Sequence, residues 1–257
     1  MQPNGGTFKM LIDRLKLRKP IPLHSLVTID SDCVFYGAFW DGVATDRSIY
    51  ENDGIVSGGY SFNVDGISLD GINGLITIPY SSPSLAFTDS FTLEMWWRLS
   101  VNSLAAIFSQ GIVAYGGTNY KFNARGGYNG GYIDCGVLGT GANQVYPGFP
   151  WKINHGGLVQ GYNAFTQGLF HHSAITFDSV AGKIIYYING VVITYGAHLQ
   201  PSTPASNLAY PVLIGGQNGG ASISYGAIDV GEARIWKKVL SQSDITTIYN
   251  ATKDGYT

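Results

Sequence analysis

Residues 91–99, FTLEMWWRL, decide the fold. Phe91, Leu93, Met95, Trp97 and Leu99 alternate with Thr92, Glu94, Trp96 and Arg98. Side chains of a strand point to opposite faces in turn, so the first set is expected on a buried face and the second on a more polar one. Working outward, GLITI at 74–78 reads as another strand, closed by Pro79. IIYYI at 184–188 and VVITY at 191–195 flank Asn189-Gly190, the pair that suits a type I′ hairpin turn because both positions need positive φ. Both faces of IIYYI are apolar, so that strand is expected to be covered on both sides. One helix is expected: Ser241-Gln-Ser-Asp244 looks like a capping box, with Ile245, Ile248 and Tyr249 at helical spacing and an end near Asn250.

Composition agrees. The 257 residues are 45% hydrophobic and 13% aromatic but only 12% charged, with 35 glycines and 17 tyrosines. That mixture suits many short strands joined by tight turns. Disorder is excluded by the apolar content, and a net charge of −2 argues against bulk nucleic-acid binding, which needs a strong positive field. No run of about 18 apolar residues exists to span a membrane. KMLIDRLKLRK at 9–19 has charges in every apolar stretch, so no signal peptide is expected there. Cys33 and Cys135 leave a bridge and the redox compartment open.

The expected organisation is a basic N-terminal arm over residues 1–30 and one β-domain over 31–257. Lys9, Arg14, Lys16, Arg18 and Lys19 are five of the 15 basic residues. The arm reads either as a docking element or as a segment packed along the domain. A long stretch at about 111–168 is rich in Gly, Tyr and Asn.

Four stretches in order resemble the laminin G-like jelly-roll family of the concanavalin A-like superfamily. Residues 46–54, DRSIYENDG, are similar to its D-x-S-G-x-G-N-D-G turn, with Ile49 and Glu51 replacing small residues. Leu69-Asp-Gly, Ile76-Thr-Ile-Pro79 and Phe91-Thr-Leu-Glu-Met-Trp96 match its next segments. Phe170 to Asp178 (FHHSAITFD) and Tyr187-Ile-Asn-Gly190 follow. Glu232-Ala-Arg-Ile-Trp236 with Val239-Leu-Ser241 resembles "DEVRIWNRALS", although Gly231 stands where the family usually has Asp. The resemblance implies an all-β, two-sheet antiparallel jelly-roll sandwich with one short C-terminal helix.

Some members of that superfamily are glycoside hydrolases, whose chemistry needs two carboxyls close together. The E-x-D-x-x-E array is missing, and Glu94 reads as a solvated strand residue. There is no G-x-S-x-G elbow. His171 and His172 point to opposite strand faces and cannot share a zinc ion. The resemblance implies one structural calcium ion where the first turn meets the last strand. Asp46, Asp53 and the Gly54 carbonyl are the candidate ligands, against the alternative that these side chains only cap a turn. Gly126–Gly131 and Gly215–Gly220 are hairpin or loop glycines, since neither precedes a Lys and a helix.

Aromatic residues remain. Trp96, Tyr128, Tyr132, Tyr146, Phe149, Trp151 and Tyr162 are the candidate contact residues, for a sugar face or a protein partner, or else they complete the core. The expectation is a non-catalytic structural or attachment module of a virion or extracellular surface assembly, acting on a protein partner or itself. The alternative is a carbohydrate-binding, lectin-like module.

Overall fold

The computed structural model describes residues 27–80, 82–99, 105–112, 119–127, 132–137, 165–181, 183–195, 210–218 and 221–256. Its strands form two sheets. The first runs β12 (Val191–Tyr195), β11 (Lys183–Ile188), β10 (His171–Asp178), β6 (Phe91–Leu99), β16 (Ala227–Trp236), β4 (Gly66–Asp70) and β3 (Tyr60–Asn63). Opposite β6, the long β16 is shared: β4 takes its residues 227–230, and β1 (Cys33–Ala38) takes 232–236. The second sheet runs β15 (Ile223–Tyr225), β14 (Gly216–Asn218), β7 (Ala105–Ile112), β13 (Val212–Ile214), β5 (Leu75–Ile78) and β2 (Ile55–Ser57). β8 (Asn119–Gly127) extends it from β7, and β9 (Tyr132–Val137) pairs with β8. The glycine-rich stretch therefore begins with strands of this sheet, while 138–164 lie outside the described residues.

The two-residue periodicity builds the interior. Phe91, Leu93, Met95, Trp97 and Leu99 pack with Ile76, Ile78, Phe108, Phe122, Val212 and Ile214 between the sheets. The β11–β12 turn forms as its residues dictate, with φ of 52° at Asn189 and 77° at Gly190. Ile184, Tyr186 and Ile188 face the core while Tyr187 joins a second cluster outside, so β11 is covered on both sides.

That second cluster corrects the reading of β6. Helix α1 (Gln242–Thr252) lies over the outer face of the first sheet, placing Ile245 and Ile248 against Tyr36, Ala174, Tyr187 and Trp236. The Ser241 side chain accepts from the Asp244 backbone N–H, and Asp244 accepts in return from the Ser241 N–H. Val27 closes the same cluster. Eight of the nine residues of β6 are buried, so its second face is interior and not solvated surface.

Candidate functional site

The outer face of the first sheet collects polar residues that are far apart in sequence. Cross-strand register places Ala174, Glu94, Arg234 and Tyr36 in one row over β10, β6, β16 and β1. The next row holds His172, Trp96, Glu232 and Ala38. Arg234 Nη1 donates to Glu94 Oε1 at 2.5 Å, and Nη2 donates to Glu232 Oε2 at 2.6 Å. His172 Nε2 lies 3.1 Å from Glu94 Oε1, and Trp40 Nε1 donates to Glu232 Oε1 at 3.3 Å. The guanidinium sits 4.3 Å above the Tyr36 ring centroid. Glu94 is 1% exposed, and Glu232 and Arg234 are fully buried.

Burying unpaired charges costs several kcal/mol each, so the carboxylates depend on the cation between them. Burial alone would push the Glu94 carboxyl up, but Arg234 and the His172 hydrogen bond outweigh it and bring it down to about 2. Burial likewise works against the charge on Arg234, and Glu94 and Glu232 hold it well above its ordinary value.

Beside this network lies an aromatic slot. Where β16 passes from Val230 to Glu232 its pairing with β6 slips by one residue, a bulge containing Gly231. The Tyr256 ring rests on that glycine: a Cβ there would lie 2.2 Å from Tyr256 Cε1. Trp96 stacks on Tyr256 at 4.6 Å and 19°, and on Tyr249 at 5.8 Å and 22°. Its Nε1 donates to Thr252 Oγ1 at 2.8 Å. Phe170 closes the slot at 5.1 Å from Tyr256, and Arg98 covers Phe170 while donating to Asp229 at 2.7 Å. The Tyr256 hydroxyl, His172 Nδ1 and Arg234 Nε are buried without hydrogen-bond partners. A buried unpaired hydroxyl costs about 1–3 kcal/mol. Tyr256→Phe is therefore expected to leave the melting temperature unchanged or raise it by a few degrees in a thermal scan. A clear fall would show that the hydroxyl has a partner.

The first turn is held by one carboxylate. Asp46 Oδ1 accepts from the backbone N–H groups of Tyr36 and Ser48, at 2.7 and 2.8 Å. Its Oδ2 accepts from the Ser48 hydroxyl and the Asn52 N–H, at 2.7 and 2.8 Å. Asp53 Oδ1 accepts from the Asp46 N–H at 2.8 Å. Calcium takes six to eight oxygen ligands. Here donor hydrogens face both Asp46 oxygens and Asp53 Oδ1. The four hydrogen bonds to Asp46 make it the anchor of a hydrogen-bonded turn. No group of three or more His, Cys, Asp or Glu among the described residues could hold a metal.

Trp96 is corrected as an exposed contact residue: it is 2% exposed, because α1 and Tyr256 cover it. Glu94 is corrected likewise, from a solvated carboxylate to a member of the buried network. Tyr132 begins β9, its side chain lying outside the described residues, as do Tyr128, Tyr146, Phe149, Trp151, Tyr162 and the arm before residue 27. Cys33 is a free, buried thiol, pushed by burial up to about 12. A cavity of about 240 Å³ opens where Val27, Thr28 and Asp30 meet Trp236, Lys238 and Ile248. Among the described residues no helix is long and apolar enough to cross a membrane.

Residues 70–246 match the family model of the concanavalin A-like lectin/glucanases superfamily, of laminin G type. No curated protein sequence matches the chain. Among solved structures, Trypanosoma rangeli sialidase in complex with sialic acid is similar at 13% identity and TM-score 0.61, over 97% of this chain and 40% of that one. Domain 4 of an extracellular arabinanase from Geobacillus stearothermophilus, solved with arabinotriose, is similar at 17% identity and TM-score 0.58, over 85% of this chain and 98% of the other. The receptor-binding domain of botulinum neurotoxin C/D mosaic serotype gives 15% identity and TM-score 0.59, over 85% and 51%. The chain spans about half or less of the toxin and sialidase chains that it matches.

Proposed function

The chain belongs to the concanavalin A-like lectin/glucanases superfamily, and from that membership we propose that it is a non-catalytic binding module for carbohydrate-bearing surfaces. One observation carries the non-catalytic part. Glu94 and Glu232, the carboxylates of the buried outer face that could have formed an acid–base pair, are both hydrogen-bonded to Arg234 and shut off from solvent. A glycosidase needs its carboxyls in reach of the glycosidic oxygen and of the anomeric carbon or its attacking water. Similar folds support the binding part: the arabinanase domain was solved with arabinotriose and the toxin domain is a receptor-binding one.

The test is retention on an immobilised glycan panel together with a reducing-sugar assay on the same glycans. Retention of a subset with no sugar released is the expected result. Release of sugar would overturn the non-catalytic reading, and no retention at all would overturn the carbohydrate one. A second reading, a component of a virion or extracellular surface assembly, draws on Tyr60 and Ile72, which are 46% and 75% exposed. Tyr60 opens β3 and Ile72 lies in the turn after β4, their segments joined by the Gly59 N–H donating to Asn73 Oδ1, and such apolar spots suit protein contact.

A further inference from the structure

We propose that the slot filled by the Tyr256 ring is a site for a pyranose ring of a glycan, closed by the chain's own segment 253–256. This rests on the carbohydrate reading above and gives it a location.

The slot belongs to the sheet and not to its occupant. Gly231 supplies a floor with no side chain, at a bulge in the pairing of β16 with β6, between the residues paired to β4 and those paired to β1. Trp96 supplies a flat wall, already in parallel stacking with a six-membered ring at 4.6 Å. The C–H face of a pyranose has the same footprint and stacks on an indole through the same negative π face. Phe170 stands on the other side, and Arg98 and Asp229 form a fixed donor–acceptor pair at the rim, with the Arg98 side chain 29% exposed. An apolar cleft with a few converging polar groups is the usual build of a small-ligand site.

The present occupant fits the shape better than the chemistry. Tyr256 carries one hydroxyl, and it finds no hydrogen-bond partner where it is buried. A pyranose carries hydroxyls around its whole edge, each able to donate and accept. The occupant is also removable. Residues 253–255 form a single 3-10 turn after α1, the Tyr256 N–H bonds only locally to the Lys253 carbonyl, and no strand ladder includes 253–256. The segment's departure would remove no strand pairing from either sheet. Affinity measured on the intact chain is then reduced by the fraction of molecules in which the slot is open.

The experiment follows tryptophan fluorescence and melting temperature of the full chain while methyl glycosides of glucose, galactose, mannose and arabinose are titrated, with p-cresol as a mimic of the tyrosine side chain. Tyr256→Ala is expected to bind at least one glycoside about tenfold more tightly than the parent, and p-cresol is expected to compete with it. Tyr256→Phe keeps the ring and loses the unpaired hydroxyl, so it is expected to bind no better than the parent. Binding of p-cresol without any glycoside would overturn the proposal and make the slot an aromatic core site. Equal glycoside affinity in all three proteins would place binding elsewhere, with the carbohydrate reading intact. No binding by any of them, with none on the glycan panel, would end both. Should Tyr256→Ala fail to fold, Arg98→Gln leaves the ring stack in place. It is expected to weaken glycan retention about tenfold, and unchanged retention overturns the assignment.

Discussion

Arg234→Met is expected to lower the stability of the folded chain by about 4 kcal/mol at pH 7, a drop of roughly 10 °C in melting temperature. Methionine fills much of the volume, so the loss comes from charge: Glu94 and Glu232 would stay buried with their shared cation gone. The pH dependence has a definite sign. Burial would raise the Glu94 carboxyl, but Arg234 and His172 leave it at about 2, below its ordinary 4.5. Its contribution is therefore complete above pH 4.5 and lost as pH falls from there toward 2, and is worth on the order of 3 kcal/mol. In the variant the unpaired carboxylates gain by taking up protons. Acidification should thus narrow the gap between variant and parent, as urea melts at pH 7 and pH 4 would read. A loss under about 1 kcal/mol at pH 7 would mean that water reaches the network.

Asp46→Ala comes next in size, at about 3 kcal/mol. One side chain satisfies three backbone N–H groups and one hydroxyl, and each hydrogen bond contributes about 0.5–1.5 kcal/mol, more when the acceptor is charged. The effect should reach beyond the turn, because Tyr36 belongs to β1. The same loss is expected with chelator and with added calcium, since each Asp46 carboxylate oxygen already accepts two hydrogen bonds. A melting temperature of the parent that rises with calcium, and a variant that does not respond, would restore the metal reading of Asp46, Asp53 and Gly54.

What the sequence made legible was local. The Asn189-Gly190 turn, the Ser241–Asp244 cap and the buried set from Phe91 to Leu99 each follow from a few neighbouring residues, and each forms as read. Helix α1 runs to Thr252, two residues past the expected end. The outer face of β6 was misread for a physical reason. Its alternation says that Glu94 and Trp96 share a face, but not that α1, Val27 and Tyr256 cover it. Glu94 looked solitary because its partners, His172 and Arg234, come from strands 78 and 140 residues away. Two faint signals were present: Glu232 and Arg234 at strand spacing, and an indole at Trp96 where a solvated face would carry none. Gly231, odd as a departure from the family pattern, is explained by the ring that rests on it.

The place of β16 has a consequence in time. It is an interior strand of the first sheet, and β6 on one side and β1 and β4 on the other all wait for it. Trp40 precedes its partner Glu232 by 192 residues, which a ribosome adding about 5–20 residues per second takes roughly 10–40 s to supply. During that interval the nascent chain holds β1, β4 and β6 as open edges with Glu94 lacking its cation. Such non-local pairing folds slowly. A product that stops before residue 227 leaves β12–β11–β10–β6 and β4–β3 as separate pieces of the first sheet, with β1 lacking its partner strand.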